Sequence, residues 1–468
     1  MNLRAAPDRL FPADPGVRSI ARRLHEHVRD LPIVSPHGHV PASVLVHDAP
    51  FADPTSLLIS PDHYVTRLLH ANGVDLAELG VGVSELSDTG ARRAWRLFCR
   101  HWPVFRGTPV QYWFERELVD VFGLTTRPAA DTADALYDDL AARLAAPEFR
   151  PRALFARFGL EVLATTDDPC DDLADHATLA ADPTFGGRVL PTFRPDAYLE
   201  PAGTGWAERV DALGAVADVD TSTYDGYVQA LETRRRYFVD HGAVSADHSH
   251  VDVGTTPLGA GEARRVFAAA LRGEATWAEA TAFRRHMLGE MARMSCDDGL
   301  VMTLHPGVAR NHHRPTFERF GADTGHDIPV AVEFTRALQP LLERYGTTPG
   351  FHLVLFTVDE TTFSREIAPL AGFYPSVFVG APWWFLDAPD AIRRHRAAVT
   401  ETVGFSRSSG FIDDTRAFCS IPARHDMSRR VDAGHLAGLV AEDRLAEDEA
   451  VEALVALTVD QPRTVFKL

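Results

Sequence analysis

Short β-branched or apolar runs, each closing on polar residues at a turn, recur along the chain: IVSPHGH (33–39), EVLATTDDP (161–169), RVLPTFRPD (188–196), AVSADHSH (243–250), LVMTLHPG (300–307), FHLVLFTVD (351–359), SVFVGAPWW (376–384) and GFIDDTR (410–416). Runs of this length bounded by turn residues predict strands. Between most of them lie longer stretches with helical patterning, such as YVQALETRRRYFVDHG and AVEFTRALQPLLERYG. Strand alternating with helix predicts a parallel sheet, and eight such strands predict a closed (β/α)8 barrel of the TIM type. The polar residues gather at the C-terminal ends of the runs, the face on which barrels carry chemistry. An open doubly wound sheet is the alternative, but no Gly-rich phosphate loop follows the first run.

The interval between the first and second runs, residues 40–160, is too long for one crossover. It holds helix-like segments (PDHYVTRLLHANGV, ARRAWRLFCRHW, PVQYWFERELVDVFG) and no Pro/Gly/Ser linker. We therefore expect an N-terminal helical segment at 1–32 and a catalytic barrel at 33–468. Residues 40–160 form a helical insertion over its mouth.

Composition narrows the function. The 468 residues carry 65 acidic against 47 basic side chains, a formal net charge of -18. Such a surface repels nucleic acid and anionic membranes, so neither is an expected partner. An anionic substrate must then meet locally placed arginines. Cys99, Cys170, Cys296 and Cys419 lie far apart with no metal or disulfide spacing, the usage of reduced thiols. No signal-like h-region opens the chain and no stretch is apolar enough to span a bilayer, so the cytoplasm is the expected compartment.

The sharpest local signal is Ser35-Pro36-His37-Gly38-His39. In an extended segment residues i and i+2 point to the same side, so both imidazoles can meet one cation. The bland reading is two histidines bonded to loop carbonyls. His25-Glu26-His27 has the same spacing, but in a helical pattern its rings diverge, and it is expected on the surface. A catalytic metal needs a further protein ligand. Asp414 ends the eighth run, which adjoins the first in a closed barrel; alone, Asp413-Asp414 reads equally well as a turn or helix cap. A second His-x-His, His248-Ser249-His250, is a candidate for another ion or for altered specificity.

SPHGHVPASVLVHDAPFADP followed by SPDHYVTRLLHANGV resembles the opening of the uronate (glucuronate/galacturonate) isomerase family, a branch of the amidohydrolase superfamily. FRGTPVQYWF, LPTFRPD, SADH, TLHPGVARN, FGADTGHDIP, GAPWWFLD, DDTRAF and RHDMSRR continue the resemblance in order along nearly the whole chain. It implies an aldose–ketose isomerase acting on D-glucuronate, D-galacturonate or a related hexuronate. It also implies one divalent ion, zinc as the expected metal, on His37, His39 and Asp414, and a homo-oligomer.

The chemistry such a reaction needs then selects residues. Arg194 and Arg416, and with a looser match Arg463, are the candidates for the substrate carboxylate, which an arginine fork suits. One proton must move between C1 and C2 and another between their oxygens, through an enediol-like species. The acidic groups for the first are Asp414 and Asp247. His63 and Tyr64, a lid pair by resemblance, would open the sugar ring or shuttle the hydroxyl proton. Helix packing is the plainer reading of that pair. His305 is kept as a pocket residue near the metal, and Trp383 with Trp384 as an apolar wall, one of the two being core.

The chain departs from the family's tyrosine–proline–arginine–histidine sequence at Ile421-Pro422-Ala423-Arg424-His425, and His312 and His313 replace expected polar residues. The competing function is a metal-dependent hydrolase on the same frame, since those ligands also activate water. A barrel that only binds sugar acids is a third reading, disfavoured by retention of all three proposed ligands.

Overall fold

The computed structural model describes residues 3, 6–83 and 85–468. Its strands are β1 (Ile33–Ser35), β2 (Leu160–Ala164), β3 (Arg188–Leu190), β4 (Thr192–Phe193), β5 (Ser245–His248), β6 (Val301–Leu304), β7 (Val308–Ala309), β8 (Ile328–Pro329), β9 (Leu353–Leu355) and β10 (Val377–Val379). Seven of the eight apolar runs carry eight of them, while β7 and β8 lie outside the runs. β1-β2-β3 form one parallel sheet and β10-β9-β6-β5-β4 another, while β7 and β8 make a small antiparallel ribbon. Register is fixed by pairs such as Val34–Val162, Asp247–Thr303 and Leu304–Leu355. The strands of the two parallel sheets are buried almost throughout and read as continuous apolar runs rather than alternating ones.

The expectation of eight strands in one closed barrel is met in part: the strands are parallel and alternate with helices, but they fall in separate sheets. Among the described residues no closed sheet is present. The third run is split at Pro191, which has no N–H to donate to a ladder. GFIDDTR forms no strand, because Gly410 (φ 74°) and Asp414 (φ 41°) turn the backbone out of the extended region. The segment is nevertheless tied at both ends. Val379 N–H donates to the Arg407 carbonyl (2.8 Å), Ser409 N–H to the Val379 carbonyl (2.9 Å) and His39 N–H to the Thr415 carbonyl (3.0 Å).

Between β1 and β2 run seven α-helices, from Ala42–His47 to Pro151–Arg157. Asp53, Asp62 and Ser87 cap three of them through side-chain oxygens. Trp95, Phe98, Trp102, Phe105 and Phe114 pack ring on ring, with centroids 4.8–6.1 Å apart. One continuous apolar core joins these side chains to Ile33, Leu163 and Val354 of the strands. The helix Pro15–Glu26 packs Ala21 and Leu24, with Val28 just beyond it, on Ala433, Leu436 and Ala437 of the long helix Ile421–Ala441.

His25, expected on the surface, is buried there with Nε2 3.4 Å from Asp426, while His27 is exposed. The two rings do diverge, and that divergence turns His25 toward the neighbouring helix. All four cysteines are unbonded. No helix among the described residues is long and apolar enough to cross a membrane.

Candidate active site

A cavity of about 1120 Å³ opens at the C-terminal ends of the strands. His37, His39, Asp414, Asp247, His305, Arg194, Arg416, His63, Tyr64, Trp383 and Trp384 line it. The backbone there is unusually constrained. Of the ten non-glycine residues with positive φ among the described residues, Asn311, Asp323, Trp384 and Asp414 all face this space. Asn and Asp tolerate that region, but a tryptophan adopts it only where surrounding packing leaves no alternative.

At the cavity floor the Nε2 atoms of His37 and His39 lie 3.4 and 2.9 Å from Asp414 Oδ1. His305 stacks between His37 (4.6 Å) and Phe356 (4.0 Å), with its edge toward Trp383. Its Nδ1–H donates to Asp247 Oδ1 at 2.6 Å, and Thr303 Oγ1 donates to the same oxygen at 2.7 Å. This leaves His305 Nε2 and Asp247 Oδ2 buried without a hydrogen-bond partner.

One ligand atom each from His37, His305 and Asp414 lie within 4.8 Å of one another. Ligand atoms gathered this closely suit a common cation about 2.0–2.2 Å from each. A carboxylate that fixes a ligand's other ring nitrogen is the usual support of such a site. The donor set therefore fits a divalent ion. His305, kept only as a pocket residue in the sequence reading, stands among the donors. Nothing in its spacing signals this, because its neighbours come from β1, β5 and the eighth run.

Electrostatics agree with a cationic centre. Burial works to raise Asp414, but the hydrogen bonds and charge of His37 and His39 outweigh it and hold the carboxyl well below the usual range. For Asp247 burial is likewise overcome, by the charges of His305 and His37 and the His305 hydrogen bond. Burial pulls His39 and His305 down. At His37 burial is outweighed by the Asp247 charge and the Asp414 contact, and the group is raised.

Arg194 Nε bonds Asp196 (3.0 Å) and stands 3.6 Å from Asp247 Oδ2. Arg416 pairs with Asp323, at 3.3 Å, and lines the cavity. His63 stacks on Tyr64 (5.0 Å) and tilts against Trp384 (5.3 Å). Burial, helped by the Arg416 charge, pushes the His63 imidazole down to about 3, so this ring is neutral. Both tryptophans line the cavity, and both also belong to the buried apolar core.

Two expectations fail geometrically. Arg463 sits on the helix Gln461–Phe466 and pairs with Glu161 (2.5 Å) at the start of β2. It is absent from the cavity lining, because the entry end of a parallel strand lies opposite its C-terminal end. Among the described residues the second His-x-His assembles no metal group. His248 Nδ1 meets the Thr303 carbonyl, while His250 turns to Asp196 and Glu200. Sequence reasoning missed Arg310, whose guanidinium lies over Trp384 (5.0 Å) and pairs with buried Asp327 (3.1 Å). Its presence in TLHPGVARN after the fifth run was the available signal.

Comparison with known proteins agrees with this geometry. Residues 17–460 match the family model described as glucuronate isomerase. The chain is 57% identical to the uronate isomerase of Corynebacterium efficiens, over 99% of each chain. It is 54% identical to that of Cutibacterium acnes, over 100% of this chain and 99% of the other. The crystal structure of glucuronate isomerase from Caulobacter crescentus superposes with a TM-score of 0.97 at 46% identity, covering 100% of this chain and 98% of that one. Relatives this similar over full length are isomerases by name, which disfavours the hydrolase reading. The chain belongs to the glucuronate isomerase family of enzymes.

Proposed function

We propose that the cavity interconverts the aldose and ketose forms of a hexuronate, D-glucuronate to D-fructuronate or D-galacturonate to D-tagaturonate. The observation that carries this is the group of three donors His37, His305 and Asp414, with His39 beside Asp414, in the same cavity as Arg194 and Arg416. His37, His39, Asp414 and His305 would hold one divalent ion, zinc being the expected one. Bound there, the ion supplies Lewis-acid stabilisation of the oxygens that become charged between aldehyde and ketone. Arg194 and Arg416 read the carboxylate, and Trp383 and Trp384 exclude water along the carbon chain. In net, the C2 proton reaches C1 and the O2 proton reaches O1. The first passes through a carboxylate of the centre, Asp414 or Asp247, and the second through the Tyr64 hydroxyl beside neutral His63.

The reading includes a closed (β/α)8 frame, supported by strand order and the bonds that tie residues 407–415 to β10 and to His39. Within it, 1–32 is an N-terminal helical segment, 33–468 the barrel, and 40–160 its helical insertion, supported by the shared core. A cytoplasmic homo-oligomer acting on a small molecule, with neither nucleic acid nor membrane as partner, completes it. The test is purified protein with zinc or manganese incubated with D-glucuronate and D-galacturonate. Ketose formation with proton exchange at C2, followed by NMR, is expected; no reaction with either sugar in metal-replete protein rejects the assignment.

A further inference from the structure

Outside the cavity, in the first turn of the helix Ile421–Ala441, Arg424 is wholly buried. Its Nη1 donates to Asp387 Oδ2 (2.6 Å) and its Nε to Ser420 Oγ (3.0 Å). The guanidinium carbon stands 3.7 Å from the centre of the Trp113 ring and 5.0 Å from that of Tyr64. Trp113 in turn meets Tyr64 edge-on at 5.5 Å. One cation therefore joins the helix Pro109–Arg116, the turn after Trp384 and the helix His63–Ala71 beneath the residue that faces the cavity.

As a stabilising device this pair is poorly made. Arg424 Nη2 and Asp387 Oδ1 are both buried with no hydrogen-bond partner. A buried ion pair offsets its desolvation only when its remaining groups are satisfied, and these are not. Burial, helped by the Asp413 and Asp414 charges, pushes the Asp387 carboxyl up to about 7 against the pull of Arg424. A cation over an aromatic face does carry a specific consequence. The attraction strengthens when the ring acquires negative charge, as a tyrosine does on releasing its proton. Burial raises the Tyr64 hydroxyl, and the Arg424 charge is the largest influence opposing that rise.

We propose that Arg424 is a positioning residue for Tyr64, fixing its ring over the cavity and stabilising the phenolate formed while the tyrosine relays the proton between O2 and O1. The Tyr64 proton goes to the oxygen that becomes the O1 hydroxyl, and the phenolate recovers the proton leaving O2, so no other reactant is needed. This rests on the assignment of Tyr64 as the relay.

The experiment is a double-mutant cycle of Arg424→Met and Tyr64→Phe in metal-replete enzyme, with Arg424→Lys as the conservative variant. It measures kcat, KM, bound metal and the isotope effect on C2-deuterated hexuronate. Arg424→Met is expected to lower kcat on the order of tenfold with KM and bound metal nearly unchanged. Arg424→Lys should recover part of the loss. In the Tyr64→Phe background the same change should cost less than about twofold, because no proton remains to be stabilised. An equal loss in both backgrounds means a merely structural role and overturns the proposal. If Tyr64→Phe turns over at the wild-type rate, the relay assignment falls and the proposal with it. That outcome is distinct from a slow Tyr64→Phe with Arg424 losses independent of it. Should Arg424→Met not fold, Arg424→Met/Asp387→Asn removes the stranded carboxylate and carries the cycle.

Discussion

The chain holds two His-x-His sequences near the C-terminal ends of strands in its parallel sheets, and they come to opposite ends. After β1, His37 and His39 lie beyond the strand, their rings perpendicular with centroids 5.4 Å apart, and both meet Asp414. In the other, His248 is still the last residue of β5. Neighbours in a strand face opposite sides, so once Asp247 faces the cavity, His248 must turn away from it. It is 1% exposed and bonds a carbonyl of β6, while His250 pairs with acids farther along the cavity wall. Spacing makes convergence possible; whether it occurs depends on where the strand ends and whether a carboxylate waits opposite.

The largest contrast is expected from the ligands themselves. His37→Ala or Asp414→Asn should remove bound metal and lower turnover by about 10³-fold or more, by metal analysis and kinetics. Loss of activity with metal retained in His39→Ala would reject that histidine as a ligand. Next comes Arg416→Met, which should cost about 10²-fold in kcat with metal content unchanged, since it removes charge stabilisation and no donor. Asp247→Asn frees His305 Nδ1 and should weaken metal binding by about 10–100-fold in a chelator competition, the usual cost of losing a supporting carboxylate. An unaltered affinity would mean that His305 is oriented by stacking alone.

The other motif should answer in stability. Burial holds the His248 imidazole at about 4, against the nearby Asp196 and Asp247 charges. The folded protein keeps it neutral while the unfolded chain binds a proton below the ordinary value of 6.5. Its contribution is therefore present above 6.5 and lost as pH falls toward 4, on the order of 3 kcal/mol in all. Denaturant melts across that range should show a shallower slope for His248→Gln, with bound metal at neutral pH unchanged. The smallest effect belongs to Arg463→Ala, which breaks a partly exposed pair with Glu161. It should shift stability by less than about 1 kcal/mol and leave KM within about twofold.

Much was written along the chain itself. Seven apolar runs became strands because β-branched residues bounded by turns have few other ways to bury their side chains. The pairing of His37 with His39 as candidates follows from their spacing at a strand end, while the family, and Asp414 with it, follows from motifs that resemble it in order along the chain. Tertiary structure alone decided the rest. His305 became a donor because Asp247 and Phe356, distant in sequence, fix its ring from two sides. GFIDDTR gave up regular pairing because Gly410 and Asp414 occupy left-handed backbone. Arg463 lost its expected place because strand direction assigns it to the opposite end. A local pattern fixes what a residue can do, but a site exists only where chain crossings bring such residues within a few ångströms, and that geometry is stored in packing.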